Sequence, residues 1–284
     1  MSTTSGTRQE ANHQCEVQPS DERRYETYLH LLVDLHRMFR VDRYLEIGVN
    51  KGHSLACVGA HTRILGVDPA PRVVGLDHPD WSVVAATSEV FFRDNDPVTL
   101  LGGQVDLAFV DGLHHAEVAL ADVLAIERIA HPGTVVLVHD VLPIDGPSSE
   151  RQRTGMVWSG DVWKVVVLLR RHRPDLRVTT LDVAPTGMAV VTGFGSQPCD
   201  AWVADALAGI LASNYADLVA IGLDEALGVQ PATRDVLAEL LGGRAVLRPG
   251  PVRPVARLDV QAGGRPDQPA GRPGEGAGTD RPRG

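Results

Sequence analysis

A chain of 284 residues is long enough to bury one full α/β core with some chain to spare, and short for two complete domains. Apolar residues make up 43%, charged residues 22% and aromatic residues only 5%, the composition of a globular enzyme with an aliphatic core. A formal charge of -9 and a pI near 5.6 argue against nucleic acid as a partner, because a phosphate backbone demands a basic footprint. A small-molecule partner is favoured instead.

Cys15, Cys57 and Cys199 are odd in number and lack short metal-type spacing, so neither a disulfide framework nor a zinc cluster is indicated and a reducing compartment fits. The N-terminus, MSTTSGTRQEANHQ, has no apolar signal core, and no run of about 18 apolar residues occurs. The expectation is a cytoplasmic protein with no membrane partner.

In chain order, residues 1–20 are polar and aperiodic and are expected to be disordered, whereas Tyr25, Tyr28, Leu29, Leu32, Val33, Leu35 and Met38 recur at helical spacing. They predict a first helix over 22–39. From Arg43 onward YLEIG, RILGVD, WSVVAA, VDLAFVD and TVVLVHD alternate with helical stretches and read as strands buried on both faces. That rhythm predicts a parallel sheet with its ligand at the carboxyl ends of the strands, near the point where strand order reverses. The loop from Val141 to Val157 is long for a compact domain and reads as a binding or lid segment. A helix over 161–172 follows, and then RVTTLDV and TGMAVVTG, a strand pair that closes the sheet. The predicted fold is thus a Rossmann-like, doubly wound, mostly parallel sheet of seven strands with an antiparallel last strand, the core domain running over 21–196. Helical patterns over 200–226 and 231–241 form an extension over 197–247, and the Pro-, Gly- and Arg-rich tail over 248–284 is expected to be disordered.

Leu45-Glu46-Ile47-Gly48-Val49-Asn50-Lys51-Gly52-His53-Ser54 is a strand entering a turn. Gly48 and Gly52 remove β-carbons where the backbone turns tightly against a ligand, and a helix opening near Gly52 would offer free N–H groups to a carboxylate. Val67-Asp68-Pro69 ends the second strand, 20 residues after Gly48, where Asp68 can accept both hydroxyls of a ribose. The spacing fits an adenosine. NAD would satisfy the same carboxylate, but its pyrophosphate turn is G-x-G-x-x-G, which E-x-G-x-x-x-G is not.

On LEIGVNKGHS and GVDPA, residues 25–195 resemble the class I S-adenosylmethionine-dependent methyltransferases. FVDGLHHAEVALADV and VLVHDVLP are similar to the small-molecule subgroup that includes macrolide-sugar and catechol O-methyltransferases. The resemblance implies S-adenosylmethionine as cofactor, contacted by Glu46, Gly48, Asn50, Gly52, Ser54, Asp68, Ser88 and Asp111, and a small-molecule hydroxyl as acceptor. Metal-dependent relatives place acidic or amide ligands where Asp111, His139 and Asp140 stand. An imidazole at 139 departs from that pattern and leaves Mg2+, Mn2+ or no metal open. Three residues after Asp111, His114 matches the offset of the catalytic base in these families, so His114 and Asp111 are the candidate catalytic pair. His115 and Trp163 are read as structural, Trp158 as a wall of the acceptor pocket, and Ser159 or Asp161 as a helix cap. Arg151, Arg153 and Lys164 are read as solvated cations or anion contacts. An NAD-dependent oxidoreductase and a noncatalytic nucleotide-binding scaffold remain alternatives, and the helix over 22–39 with the region after 200 leaves a homo-oligomeric interface open.

Overall fold

The computed structural model describes residues 24–195 and 200–242. The tails expected to be disordered, over 1–20 and 248–284, therefore lie outside the described residues.

Helix α1 (Tyr28–Met38) precedes a run of strands β1 (Arg43–Ile47), β2 (Arg63–Val67), β3 (Trp81–Val84), β4 (Val105–Val110) and β5 (Ala130–His139). Helices α2 (Ser88–Asp94) and α3 (Pro97–Leu101) separate β3 from β4, and α4 (Ala116–Glu127) separates β4 from β5. After the long loop come α5 (Trp163–His172), β6 (Arg177–Asp182), β7 (Met188–Thr192), α6 (Val203–Leu211), α7 (Tyr215–Ile221), α8 (Leu223–Leu227), β8 (Val229–Pro231) and α9 (Arg234–Leu241). The sheet order is β3-β2-β1-β4-β5-β7-β6-β8, with β7 antiparallel to both its neighbours and every other pairing parallel. The predicted seven-strand sheet is present, and an eighth, three-residue strand extends its edge beside β6. The chain reverses direction across the sheet between β1 and β4, so their carboxyl ends form the crevice where such sheets bind ligands.

Strand alternation sorts the core into two layers. Leu45, Ile47, Ala108, Val110, Val136 and Val138 face α4 and α5, while Tyr44, Leu107, Phe109, Val135 and Leu137 face α1 and α9. Burial on both faces explains why these strands read as continuous apolar runs. α1 is shorter than predicted, because Thr27 and Phe39 at its caps are extended. The 200–226 helical pattern is broken twice. Asn214 caps a new helix in a capping box, and Gly222 at φ 97 turns the chain before α8. Among the described residues no single helix is long and apolar enough to cross a membrane.

Candidate active site

The end of β1 and the end of β4 approach so closely that a β-carbon on Gly48, at φ +91, would stand 2.0 Å from the Asp111 carbonyl oxygen. Only glycine permits that approach. Gly48 N–H donates to Val67 O and Asp111 N–H to Ile47 O, each at 2.8 Å, so the ladder knits the three strand ends together beyond the strands themselves. Asn50, held at φ 47, donates its N–H to Asp68 Oδ2 at 2.8 Å, and Ala70 N–H donates to Oδ1 at 2.7 Å. Both Asp68 oxygens are thereby fixed, each with a lone pair left for a ligand hydroxyl.

The helix expected to open near Gly52 is instead a single 3-10 turn, Leu55–Cys57. Ser54 turns inward to donate to Glu46 Oε1 at 2.5 Å, and Val58 ends the turn in an extended conformation. A helix N-terminus therefore does not supply the carboxylate site anticipated after Gly52. Glu46 lies on the α1 face with Tyr44, fully buried, and its second oxygen accepts from Tyr44 Oη at 2.6 Å. It braces the glycine turn from behind and is not among the residues lining the cavity. Burial, opposed by those two hydrogen bonds, pushes its carboxyl up to about 8.

Across the crevice two carboxylates and two imidazoles converge. His139 Nδ1 lies 3.1 Å from Asp140 Oδ2 and 3.3 Å from Asp111 Oδ1. His114 Nε2 lies 3.0 Å from Asp140 Oδ2 and 3.6 Å from Asp111 Oδ1. Thr186 Oγ1 donates to the other Asp140 oxygen. Asp140 itself sits at φ 61, a conformation a non-glycine residue holds only when its surroundings impose it. His114 precedes α4 in the loop and does not lie on its first turn as the sequence suggested, because His115 is extended and caps the helix. The His114 ring stacks on Trp158, centroids 4.6 Å apart, and its Nδ1 meets the Trp158 carbonyl at 3.1 Å. Because a carbonyl only accepts, Nδ1 carries a hydrogen and Nε2 is the nitrogen turned to the carboxylates. Burial disfavours the His114 cation, but the hydrogen bond to Asp111 and the charges of Asp140 and Asp111 outweigh it and raise the ring's proton affinity. Asp111 moves the other way: burial raises it, and the two imidazoles hold it well below the usual carboxylate range.

A cavity of about 1340 Å³ joins these two halves. Gly48, Asn50, Ser54, Asp68, Ser88, Asp111, His114, His139 and Asp140 all line it. Gly52, also at positive φ, stands against Val73 behind the turn. Several lining residues carried no sequence signal. Tyr28 sits in the apolar stripe of α1 yet places its ring 4.4 Å from His139, and Thr186 falls in what reads as a plain turn. Asp122, inside α4, is buried with Oδ2 lacking a partner. Trp163 is core, as expected. Asp161 does not cap α5, whose N-cap is Val162 with no side-chain bond. It accepts instead from Ala116 N–H at 2.8 Å, Arg151 at 2.9 Å and Lys164 at 3.1 Å.

Asp111, His139 and Asp140 offer ligand atoms within 4.8 Å of one another. The set does not fit magnesium, which takes an oxygen shell. His139 Nδ1 already faces both carboxylates, and its Nε2 is buried under Tyr28 and Phe109 without a partner. An ion between the three residues would have to displace both hydrogen bonds.

Residues 45–141 match the family model of a methyltransferase domain. No curated protein matches the chain. Among solved structures it is similar to a putative O-methyltransferase from Klebsiella pneumoniae (19% identity over 59% of this chain and 79% of that one, TM-score 0.42). It is also similar to the O-methyltransferase TomG from Streptomyces achromogenes in complex with SAM (19%, 58% and 78%, TM-score 0.43). An O-methyltransferase from Bacillus cereus in complex with SAH gives 17%, 58% and 78%, with a TM-score of 0.39.

Proposed function

We propose that the chain, which carries a methyltransferase domain over residues 45–141, transfers a methyl group from S-adenosylmethionine to a hydroxyl of a small molecule, with His114 as general base. The observation that carries this reading is the single cavity shared by a ribose-type carboxylate, Asp68, and an imidazole–carboxylate cluster built on His114, Asp111 and Asp140. Methyl transfer is an in-line displacement, so the protein must align an acceptor oxygen with the sulfonium carbon and take up the acceptor's proton. Asp68 and the Gly48 turn fix the nucleoside at one end. At the other, Trp158 holds His114 with Nε2 beside Asp140 and Asp111, so that a proton taken up at Nε2 is stabilised by those carboxylates. His139 Nδ1 bonds both carboxylates and offsets part of their charge, which supports catalysis by the chain's own residues without a divalent metal.

Calorimetric titration with S-adenosylmethionine, S-adenosylhomocysteine and NAD, repeated with Mg2+, Mn2+ and EDTA, tests the reading. Micromolar binding of both sulfur nucleosides, unchanged by EDTA and weakened at least about tenfold by Asp68→Ala, is the expected result. Binding of NAD alone favours the oxidoreductase, and binding of none of the three favours a scaffold. A requirement for Mn2+ restores the metal.

A further inference from the structure

One buried acid in the cavity wall takes no part in holding the ribose or in taking up the acceptor's proton. Asp122 is 3% exposed and lines the cavity, and its Oδ2 has no hydrogen-bond partner among the described residues. A buried polar atom left unpaired is costly, and its persistence points to a partner from outside the fold. The surroundings define that partner. Val118, Ala121, Asp122 and Ala125 recur at helical spacing, so one stripe of α4 faces the cavity, and Phe92 of α2 lines it as well. Asp122 is thus a single acceptor set among apolar side chains. It stands at the nucleoside end. Ala86 N–H donates to the Asp68 carbonyl at 3.2 Å, and two residues further on Ser88 donates its hydroxyl hydrogen to Asp122. Oδ2 itself lies 4.0 Å from where a β-carbon on Gly112 would stand, at the end of β4. An ionised carboxyl accepts and never donates, so a donor must complete it. Asp122 belongs to no group of three metal-ligating side chains among the described residues, which leaves an N–H or O–H of the cavity's ligand.

From this placement we infer that Asp122 is the residue that selects adenine, its carboxylate accepting a hydrogen bond from the 6-amino group of the cofactor while the ring lies between Phe92 and the α4 stripe. The inference rests on the S-adenosylmethionine reading and deepens it, adding a specificity-determining residue from α4 to the glycine turn and Asp68. A purine is a flat apolar disc with a polar edge, which matches apolar walls around one acceptor. Adenine brings an N–H to that acceptor, whereas hypoxanthine and guanine turn a carbonyl oxygen to the same place. The terminal torsion of an aspartate is soft, so a small rotation brings the unpaired oxygen to the ligand. Ser88 then acts through Asp122, its hydroxyl steadying the carboxylate. The neighbouring side chains are otherwise engaged. Thr87 caps α2 by accepting from Val90 N–H, and Glu89 is exposed, where water satisfies it.

The full-length protein is titrated calorimetrically with S-adenosylhomocysteine and with S-inosylhomocysteine, in which an oxo group replaces the 6-amino group. The titrations are run at pH 8, above the value of about 7 to which burial lifts Asp122. The parent should bind the inosine compound at least about tenfold more weakly, because its oxygen faces the carboxylate with no hydrogen between them. Asp122→Asn keeps the shape and offers an acceptor to adenine or a donor to hypoxanthine, so it should bind the two compounds within about threefold of each other. Asp122→Ala, which removes the acceptor and suits a helix interior, should likewise show no preference beyond about threefold. Comparing two ligands on one protein cancels any loss of fold that weakens both. A parent that binds the two compounds alike, or a variant that keeps the parent's preference, overturns the role of Asp122 while the cofactor reading stands. Failure of the parent to bind S-adenosylhomocysteine overturns both.

Discussion

His114 is gripped from two sides, by the Trp158 carbonyl and ring on one and by Asp140 and Asp111 on the other, and the imidazole itself takes no part in the bonds that fix Asp68 and the Gly48 turn. Removing the imidazole should therefore separate chemistry from cofactor binding. His114→Ala is expected to lower turnover by about 10²-fold or more, the usual contribution of a positioned base, with S-adenosylhomocysteine affinity within about twofold of the parent. Single-turnover kinetics beside calorimetry distinguishes the outcomes, and parental turnover by the variant removes His114 from the mechanism. At this scale the sequence was informative where a residue's type and spacing are both unusual. Gly48, Asp68, Asp111 and His114 stand at strand ends in a recognisable rhythm, and all of them reach the cavity. Tyr28 and Asp122 were illegible because each occupies a helical position where an apolar stripe or a solvated face is the ordinary explanation, and only tertiary packing turns them inward. Glu46 shows the converse. It belongs to the motif, yet both its oxygens are consumed by Tyr44 and Ser54.

Elements buried on both faces were legible in the sequence, since β1, β2, β4 and β5 are apolar runs bounded by turn residues. β8 was not, because three residues carry no period of their own and pair only when α8 delivers them to β6. The loop read as 141–157 was recognisable by length, but it runs on to Val162 and its anchoring depends on contacts distant in sequence. Asp161 is the node. It caps the start of α4 through Ala116 N–H, receives Arg151 and Lys164, and donates its own N–H to the His114 carbonyl at 3.3 Å. Lys164 is as buried as Asp161, with the Leu211 carbonyl at 3.0 Å and the Trp163 ring at 5.6 Å as its other partners among the described residues. Asp161→Ala strands that ammonium and uncaps α4, so the variant should lose about 3 kcal/mol or more, the cost of breaking a buried ion pair from one side. Urea unfolding measures the loss. Limited proteolysis within 148–158 should accelerate in step with it, and an unchanged urea midpoint would show that the loop is held by its other contacts.

At the scale of the whole molecule, two acids buried in the sheet's flanks shape how stability follows pH. Burial, only partly offset by a hydrogen bond from Ser88, pushes Asp122 up to about 7 from its ordinary 3.8. Glu46 is raised to about 8 from 4.5 by burial against its two hydrogen bonds. With a folded-state value above the unfolded one, the native protein holds more protons between the two, so stability must fall as pH rises through that window. For Asp122 the stabilisation is complete below about 4 and is lost as pH climbs through about 7. The cause is physical: above that point the native state holds a carboxylate whose Oδ2 is shut away from solvent without a partner, whereas the unfolded chain solvates it. Asp122→Asn replaces that group with a neutral amide of the same shape. Unfolding free energies from urea melts should show the parent losing at least about 1 kcal/mol more than the variant between pH 5 and pH 8, since a tenfold difference in proton affinity between the folded and unfolded states is worth about 1.4 kcal/mol. Glu46 keeps a residual slope in both proteins, and the pairing of the acidic cluster acts in the opposite sense at low pH, so the difference between parent and variant isolates Asp122. Parallel stability curves across pH 5 to 8 would mean that the Asp122 carboxylate finds a partner in solution, and that its burial in α4 costs the fold nothing.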